Sequence, residues 1–284
     1  MVTKTEQAHR PKLLDHTATN GVYETAPADL FRYGWRTVAE TLPDGRIGCR
    51  YIPLTQADFL DPQLGDHMVQ SDHHFILVAS LYNRFHKRYL NQPTIGVFSN
   101  LKMLWGLPDL AEPAPDLAVI PHLPSKAAYH SSFNVTKEGT RPCLIVEVVS
   151  PHYPGDDTAK VAIYEQVGIT EYIIIDPHFG DETTPFELSG YRLVNDVYEE
   201  IQPDAQGRLL SETTGVWFGL DESKRNLILV DAATGERLLD DEEEYEARLE
   251  ERQARLTAEA RAEAAEAELA RLKALLAARN GRSE

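Results

Sequence analysis

The feature that most constrains this chain is a carboxylate set inside an apolar run. Residues 143–149 read CLIVEVV, so Glu147 interrupts a stretch of aliphatic side chains. Short Ile/Val-rich runs bounded by turn residues have the pattern of strands buried on both faces. A second such run, Tyr172–Ile175, follows after a polar, helix-like segment. Two strands joined by a helical crossover are the unit of a mixed or parallel sheet. A carboxylate inside one of them is costly unless something positive lies against it. Upstream, APDLAVI (114–120) repeats the theme, with Asp116 opening an apolar strand; downstream, Lys160 lies in the crossover helix.

Two strand-borne carboxylates and one helix-borne lysine are the residue types that phosphodiester hydrolysis uses. A hard cation such as Mg²⁺ takes one or two carboxylates plus waters and substrate oxygens. It polarises the phosphate and lowers the pKa of an attacking water. Adjacent strands would bring Asp116 and Glu147 to the same level of the sheet. Lys160 could orient the water and offset developing negative charge. Tyr164, one turn later, shares the lysine's face, and Asp156 or Asp157 is expected to cap the helix. Each residue also has a plainer role: an aspartate at a strand start often satisfies loop-end donors, and a helix lysine is most often solvated. Glu147 is harder to explain that way, because LIVEVV holds no charge to neutralise it. The order strand-Asp, strand-Glu, helix-Lys carries the signal.

The remaining segments are read in chain order. Residues 1–26 are polar and aperiodic, which predicts disorder. Pro43-Asp44-Gly45 between two β-prone runs predicts a hairpin, and Thr55–Pro62 predicts a short capped helix. From Ser71, with Ser71 or Asp72 as cap, an amphipathic helix is expected with Phe75, Val78, Ala79, Tyr82 and Phe85 on one face. Its last turns carry Arg84, Lys87 and Arg88, a basic cluster suited to a solvated helix end or to a phosphate backbone. Thr94–Phe98 and Leu101–Trp105 resemble a strand pair turning at Ser99-Asn100, and Pro121–Arg141 reads as a polar loop. After Pro177 come short strand-like runs at 186–193, 197–201, 208–211, 215–218 and 227–230, expected to belong to the same domain, which ends near Leu239. Residues 240–279 turn to Ala, Glu, Arg and Leu without Pro or Gly. That composition predicts a long exposed helix, with Leu249, Leu256, Leu269, Leu272 and Leu276 forming a weak heptad stripe.

Bulk properties narrow the class. A chain of 284 residues can bury one sizeable core. Its formal net charge of −17 argues against coating nucleic acid through bulk charge, but leaves room for a local cleft. The two cysteines, Cys49 and Cys143, are far apart and in no metal-type spacing. With no disulfide framework, no apolar leader and no membrane-length apolar run, a soluble cytoplasmic protein is expected. Zinc is not expected, because His73 and His74 are adjacent and cannot share a helix face.

APDLAVI, then LIVEVVSP, then the Lys160–Tyr164 segment and EYIIIDP resemble the Uma-two-type restriction endonuclease family. That family belongs to the PD-(D/E)XK nuclease superfamily. The resemblance covers roughly residues 30–235 and is strongest over 114–177, and Asp72-His73-His74 also matches at the helix start. It implies an α/β, restriction-endonuclease-like fold: a mixed central sheet flanked by helices, with β-rich additions and a long C-terminal helix. The implied organisation is a nuclease-like domain over 27–239 and a charged helix, coiled coil or not, over 240–284. Asp116 and Glu147 would be metal ligands, with the Val148 carbonyl as a third, for Mg²⁺ or Mn²⁺. The superfamily lysine stands two residues after the acid, where this chain has Val149, so Lys160 would take its place. The acidic-plus-glycine hairpin before the first helix is eroded to GDHMVQS, which bears on Asp72 as an auxiliary ligand. Ser150 either hydrogen-bonds near the site or only ends the strand. DNA is the implied substrate, with a homodimer through the core or the C-terminal helix as a further expected partner and no membrane. Two other classes stay open. One is a catalytically silent scaffold that recruits a partner through the C-terminal helix; the other is a hydrolase of small phosphoesters.

Overall fold

The computed structural model describes residues 33–280 except 64, 69, 126–129, 151–155 and 182. The expected disorder of residues 1–26 and the capping by Asp156 or Asp157 concern residues or side chains outside this set. The chain opens with β1 (Trp35–Thr41) and β2 (Ile47–Pro53), then α1 (Gln56–Leu60), β3 (Asp66–His67) and α2 (Asp72–Arg88). It continues through β4 (Gly96–Phe98), β5 (Met103–Leu104), β6 (Leu117–Ile120), β7 (Phe133–Asn134) and α3 (Val135–Glu138). Next come β8 (Leu144–Val148), α4 (Asp156–Gln166), β9 (Glu171–Asp176), β10 (Glu187–Val194) and β11 (Val197–Glu200). The last elements are β12 (Leu209–Ser211), β13 (Val216–Leu220), β14 (Leu227–Asp231) and α5 (Asp241–Asn280).

A six-stranded sheet in the order β11-β10-β9-β8-β6-β4 forms the centre. It is mixed: β8 and β9 are parallel across the α4 crossover, and the other pairs are antiparallel. Every residue of β6 and β8 is buried, as expected of strands covered on both faces. Alternation along β8 divides the core. Leu144, Val146 and Val148 pack with Val78, Leu81 and Phe85 of α2 and with Val216 and Phe218 of β13. Ile145 faces the other way, toward Ile163 and Tyr164 of α4. The strands β12–β14 form a separate antiparallel sheet over the α2 side.

Three expectations are corrected here. Thr94–Phe98 and Leu101–Trp105 do not pair: β4 joins β6, and β5 runs parallel to β7. Asn100, at φ 52°, turns the chain, and its N–H donates to the Pro115 carbonyl instead of closing a hairpin. The polar loop 121–141 contains β7 and α3. The buried face of α2 is His74, Val78, Leu81, Arg84 and Phe85, whereas Phe75 is 63% exposed. The helix is rotated from the expected phase, so that its N-terminal turn aims His74 at the adjoining ends of β6 and β8. The Pro43-Asp44-Gly45 hairpin forms as expected, with β1 antiparallel to β2.

The basic cluster on α2 is ion-paired within the chain, with Arg84 buried and Lys87 and Arg88 partly exposed. Arg84 lies 2.9 Å from Glu243 and 3.3 Å from Asp240, and Lys87 lies 2.7 Å from Asp241 and 3.0 Å from Glu244. Arg88 pairs with Asp231. Ser80 Oγ donates to Asp240 Oδ2 at 2.6 Å, so the root of α5 is clamped onto α2. Beyond this root, side chains from Tyr245 to Ala274 are exposed. No helix among the described residues is long and apolar enough to cross a membrane.

Phe85 is fully buried and stacks on Phe218 at 6.0 Å, joining α2 to the second sheet. Phe85→Ala is expected to lower unfolding stability by about 3–5 kcal/mol in urea titration. Leu249→Ala, on the exposed part of α5, is expected to change it by less than about 0.5 kcal/mol.

Candidate metal centre

The pairing Leu117↔Val146 fixes the register of β6 against β8. Continued by one residue, it sets Asp116 opposite Glu147. Both carboxylates are buried, at 6% and 5% exposure, and they cross-link the two strands. The Val148 N–H donates to Asp116 Oδ2 at 2.9 Å, and the Asp116 N–H to Glu147 Oε2 at 3.4 Å. Alternation along β8 turns Glu147 to the same side as Ile145, the face that α4 covers. From α4, Lys160 Nζ lies 3.1 Å from Glu147 Oε2, and Tyr164 donates its hydroxyl proton to Glu147 Oε1 at 2.7 Å. Val149 packs its side chain into that same core cluster, so the positive charge that meets Glu147 comes from the helix. The structure therefore brings together Asp116, Glu147, Val148, Lys160 and Tyr164.

Asp116, Glu147, Val148 and Lys160 border a cleft of about 360 Å³, with Tyr164 buried behind them. Ser150 also lines it, as do Asn100, Gln63 and Gln70. Asp72 and His73 do not: their side chains are 82% and 75% exposed and pair with each other at the start of α2. Two residues that sequence reasoning passed over do reach the cleft. His74 Nε2 lies 3.2 Å from Asp116 Oδ2 and 3.1 Å from the Val148 carbonyl oxygen. Asp66, from the eroded GDHMVQS segment, is held by a two-point pair with Arg36 at 2.5 and 2.8 Å. The signal for His74 was present in the adjacent histidines, but choosing between them requires the rotation of α2. The GDHMVQS segment marked the place of Asp66, but its pairing with Arg36, thirty residues away, was not legible.

The two carboxylates differ in charge state. Burial pushes Glu147 up to about 7; the charge of Asp116 adds to this, and Lys160 and Tyr164 hold it back. Burial alone would raise Asp116 as well, but the hydrogen bond and charge of His74 bring it below the ordinary range. For His74, burial lowers the pKa and Asp116 more than offsets it, leaving a net rise. Tyr164 is raised far above its ordinary value by burial and by Glu147, so its hydroxyl stays protonated and donates.

Among the described residues, no group of three or more His, Cys, Asp or Glu side chains is arranged to hold a metal ion. Asp116, Glu147 and the Val148 carbonyl bring two carboxylates and one backbone carbonyl to one side of the cleft. That set suits a hard cation that retains waters better than it suits zinc. Folded-state pKa values above the unfolded ones make Glu147 and His74 stabilising at low pH. The Glu147 share is complete below about pH 4.5 and is lost as pH rises through about 7. The thermal midpoint of the metal-free protein is therefore expected to fall between pH 5 and pH 7.5. In Glu147→Gln that fall should be visibly shallower, as followed by circular dichroism.

No curated protein matches the chain. A crystal structure described as a "putative nuclease belonging to DUF820" from Anabaena variabilis ATCC 29413 matches at 17% identity with a TM-score of 0.37, covering 62% of this chain and 82% of that one. The model of the Uma2 family, described as "Putative restriction endonuclease", matches residues 55–222, more than half of the chain and inclusive of every residue that borders the two carboxylates from α2, β6, β8 and α4. The chain belongs to the Uma2 family.

Proposed function

We propose that this protein is a metal-dependent endonuclease that hydrolyses DNA phosphodiester bonds at the cleft between β6, β8 and α4. The observation that carries this is the opposition of two buried carboxylates with a lysine 3.1 Å from one of them. Asp116, Glu147 and the Val148 carbonyl would hold Mg²⁺ or Mn²⁺. When bound there, such an ion would polarise the scissile phosphate and make an attacking water more acidic. Lys160 is 5% exposed and fixed against Glu147. From that position its ammonium orients the water by donating to it and offsets charge on the phosphate oxygens. Tyr164 acts by locking the Glu147 rotamer through Oε1, which leaves Oε2 toward Lys160.

Membership of a family described as restriction endonucleases supports DNA as the substrate. The domain that carries the site is proposed to span 27–239, and its setting is proposed to be the cytoplasm. A second reading is favoured by one feature, the exposed length of α5: a silent nuclease-like scaffold whose helix recruits a partner. Removing residues 247–284 discriminates, because it spares the Asp240–Glu244 clamp on buried Arg84. A nuclease keeps its activity after that truncation, and a scaffold loses its assembly.

Supercoiled plasmid incubated with Mg²⁺ or Mn²⁺ tests the nuclease reading. Nicking is expected from the wild type and should fall by about 10²–10³-fold in Glu147→Gln and in Lys160→Ala. Nicking that survives Glu147→Gln overturns the assignment. Turnover of a small model phosphodiester with plasmid left intact would move the substrate to small phosphoesters.

A further inference from the structure

Among the described residues, His74 is the one buried histidine in contact with the carboxylate cluster, and its placement is over-determined. It occupies the third position of α2, where its N–H donates to Oγ of the capping Ser71 at 3.2 Å. Its side chain leads the buried stripe that continues through Val78, Leu81 and Phe85 into the core. Phe179 meets the ring edge-on with centroids 6.4 Å apart. The imidazole is 4% exposed, so neither the backbone nor the ring is free to shift.

The ring's two close partners are both acceptors: Asp116 Oδ2 at 3.2 Å and the Val148 carbonyl at 3.1 Å. Nε2 must therefore carry a proton and donate to them. Nδ1 is buried, with no hydrogen-bond partner among the described residues, so the ring makes its polar contacts through Nε2 alone. One N–H thus spans two of the three oxygen donors assigned above to the metal. Asp116 Oδ2 also accepts the Val148 N–H at 2.9 Å, so the carboxylate keeps its second oxygen for a cation, and the carbonyl keeps a further lone pair. A fixed donor shared between them sets the separation and direction of what remains.

We propose that His74 is a positioning residue that holds the Asp116 carboxylate and the Val148 carbonyl in the arrangement that takes a divalent cation. The proposal rests on the metal-centre reading above and adds to it a residue from a third element. It makes the N-terminal turn of α2 part of the site, although no α2 side chain is assigned as a ligand. Hydrogen-bonded partners of this kind typically account for 10–100-fold in metal affinity.

The test is a titration of the full-length protein with Mn²⁺, reading free ion by electron paramagnetic resonance and needing no turnover. His74→Ala is expected to weaken Mn²⁺ binding by about 10–100-fold. His74→Gln, which returns an N–H donor at similar reach, is expected to recover most of that loss. His74→Met fills the space without a donor and should behave like His74→Ala; if His74→Ala does not fold, the Gln/Met contrast decides. Equal or tighter binding in the donor-free variants overturns the proposal, as does failure of Gln to exceed Met. Wild type that binds no Mn²⁺, indistinguishable from Glu147→Gln, overturns the metal-centre reading and this proposal together. Binding lost in Glu147→Gln but kept in His74→Met overturns this proposal alone.

Discussion

Two carboxylates facing each other inside a protein cannot both stay ionised without compensation, and much of this fold serves to supply it. Asp116 receives the Val148 N–H and the His74 ring, while Glu147 receives Lys160 and the Tyr164 hydroxyl. Those donors come from β8, α2 and α4, so the elements that flank the sheet meet at one pair of side chains. Glu171 offers a contrast within the same sheet. It is fully buried too, but Arg192, Ser211, Thr213 and the Glu212 backbone surround it with donors. It borders none of the residues of the cleft and staples β9 to the segment after β12. Glu147 instead keeps a raised pKa and an open side.

A single helix connects the site to everything else. α2 places His74 at the carboxylates, Val78, Leu81 and Phe85 in the core, and Arg84 against the root of α5. These positions follow one another along one face at helical spacing. A change in the rotation of α2 would therefore disturb the contact with the two carboxylates, core packing and the C-terminal clamp at once. Replacing buried Arg84 would be as disruptive as a core deletion, since losing one partner of a buried pair leaves the others uncompensated.

What could be read from the sequence followed the range of the interactions. Glu147 inside LIVEVV, Asp116 before LAVI and Lys160 in the crossover are local patterns, and the α/β fold with its mixed sheet follows from them. The roles of these residues are a chemical inference, but their convergence was legible in their order. The face of α2 was not, because Phe75 is more hydrophobic than His74 and composition favours the wrong rotation. The partners of Arg84, Lys87 and Arg88 lie between 126 and 159 positions away, beyond any window that periodicity can use. The pairing of β4 with β6 was hidden for a similar reason. A turn such as Ser99-Asn100 announces a change of direction and not the strand that will be met next.

The clamped root of α5 has a consequence for how the molecule behaves in solution. Forty residues of helix extend about 60 Å at 1.5 Å per residue, and the first turn is tied to α2 by ion pairs. At 100° per residue, Leu249 and Leu256 lie roughly 160° around the axis from Leu269, so no one straight partner covers both ends of the helix. A monomer is then a rounded body carrying a stiff rod. Friction scales with that length and not with mass, so such a particle elutes early and tumbles slowly about its short axes. An elution volume calibrated on spheres would assign it a mass belonging to a larger assembly, and only a shape-independent weight, from light scattering or sedimentation equilibrium, would count its chains.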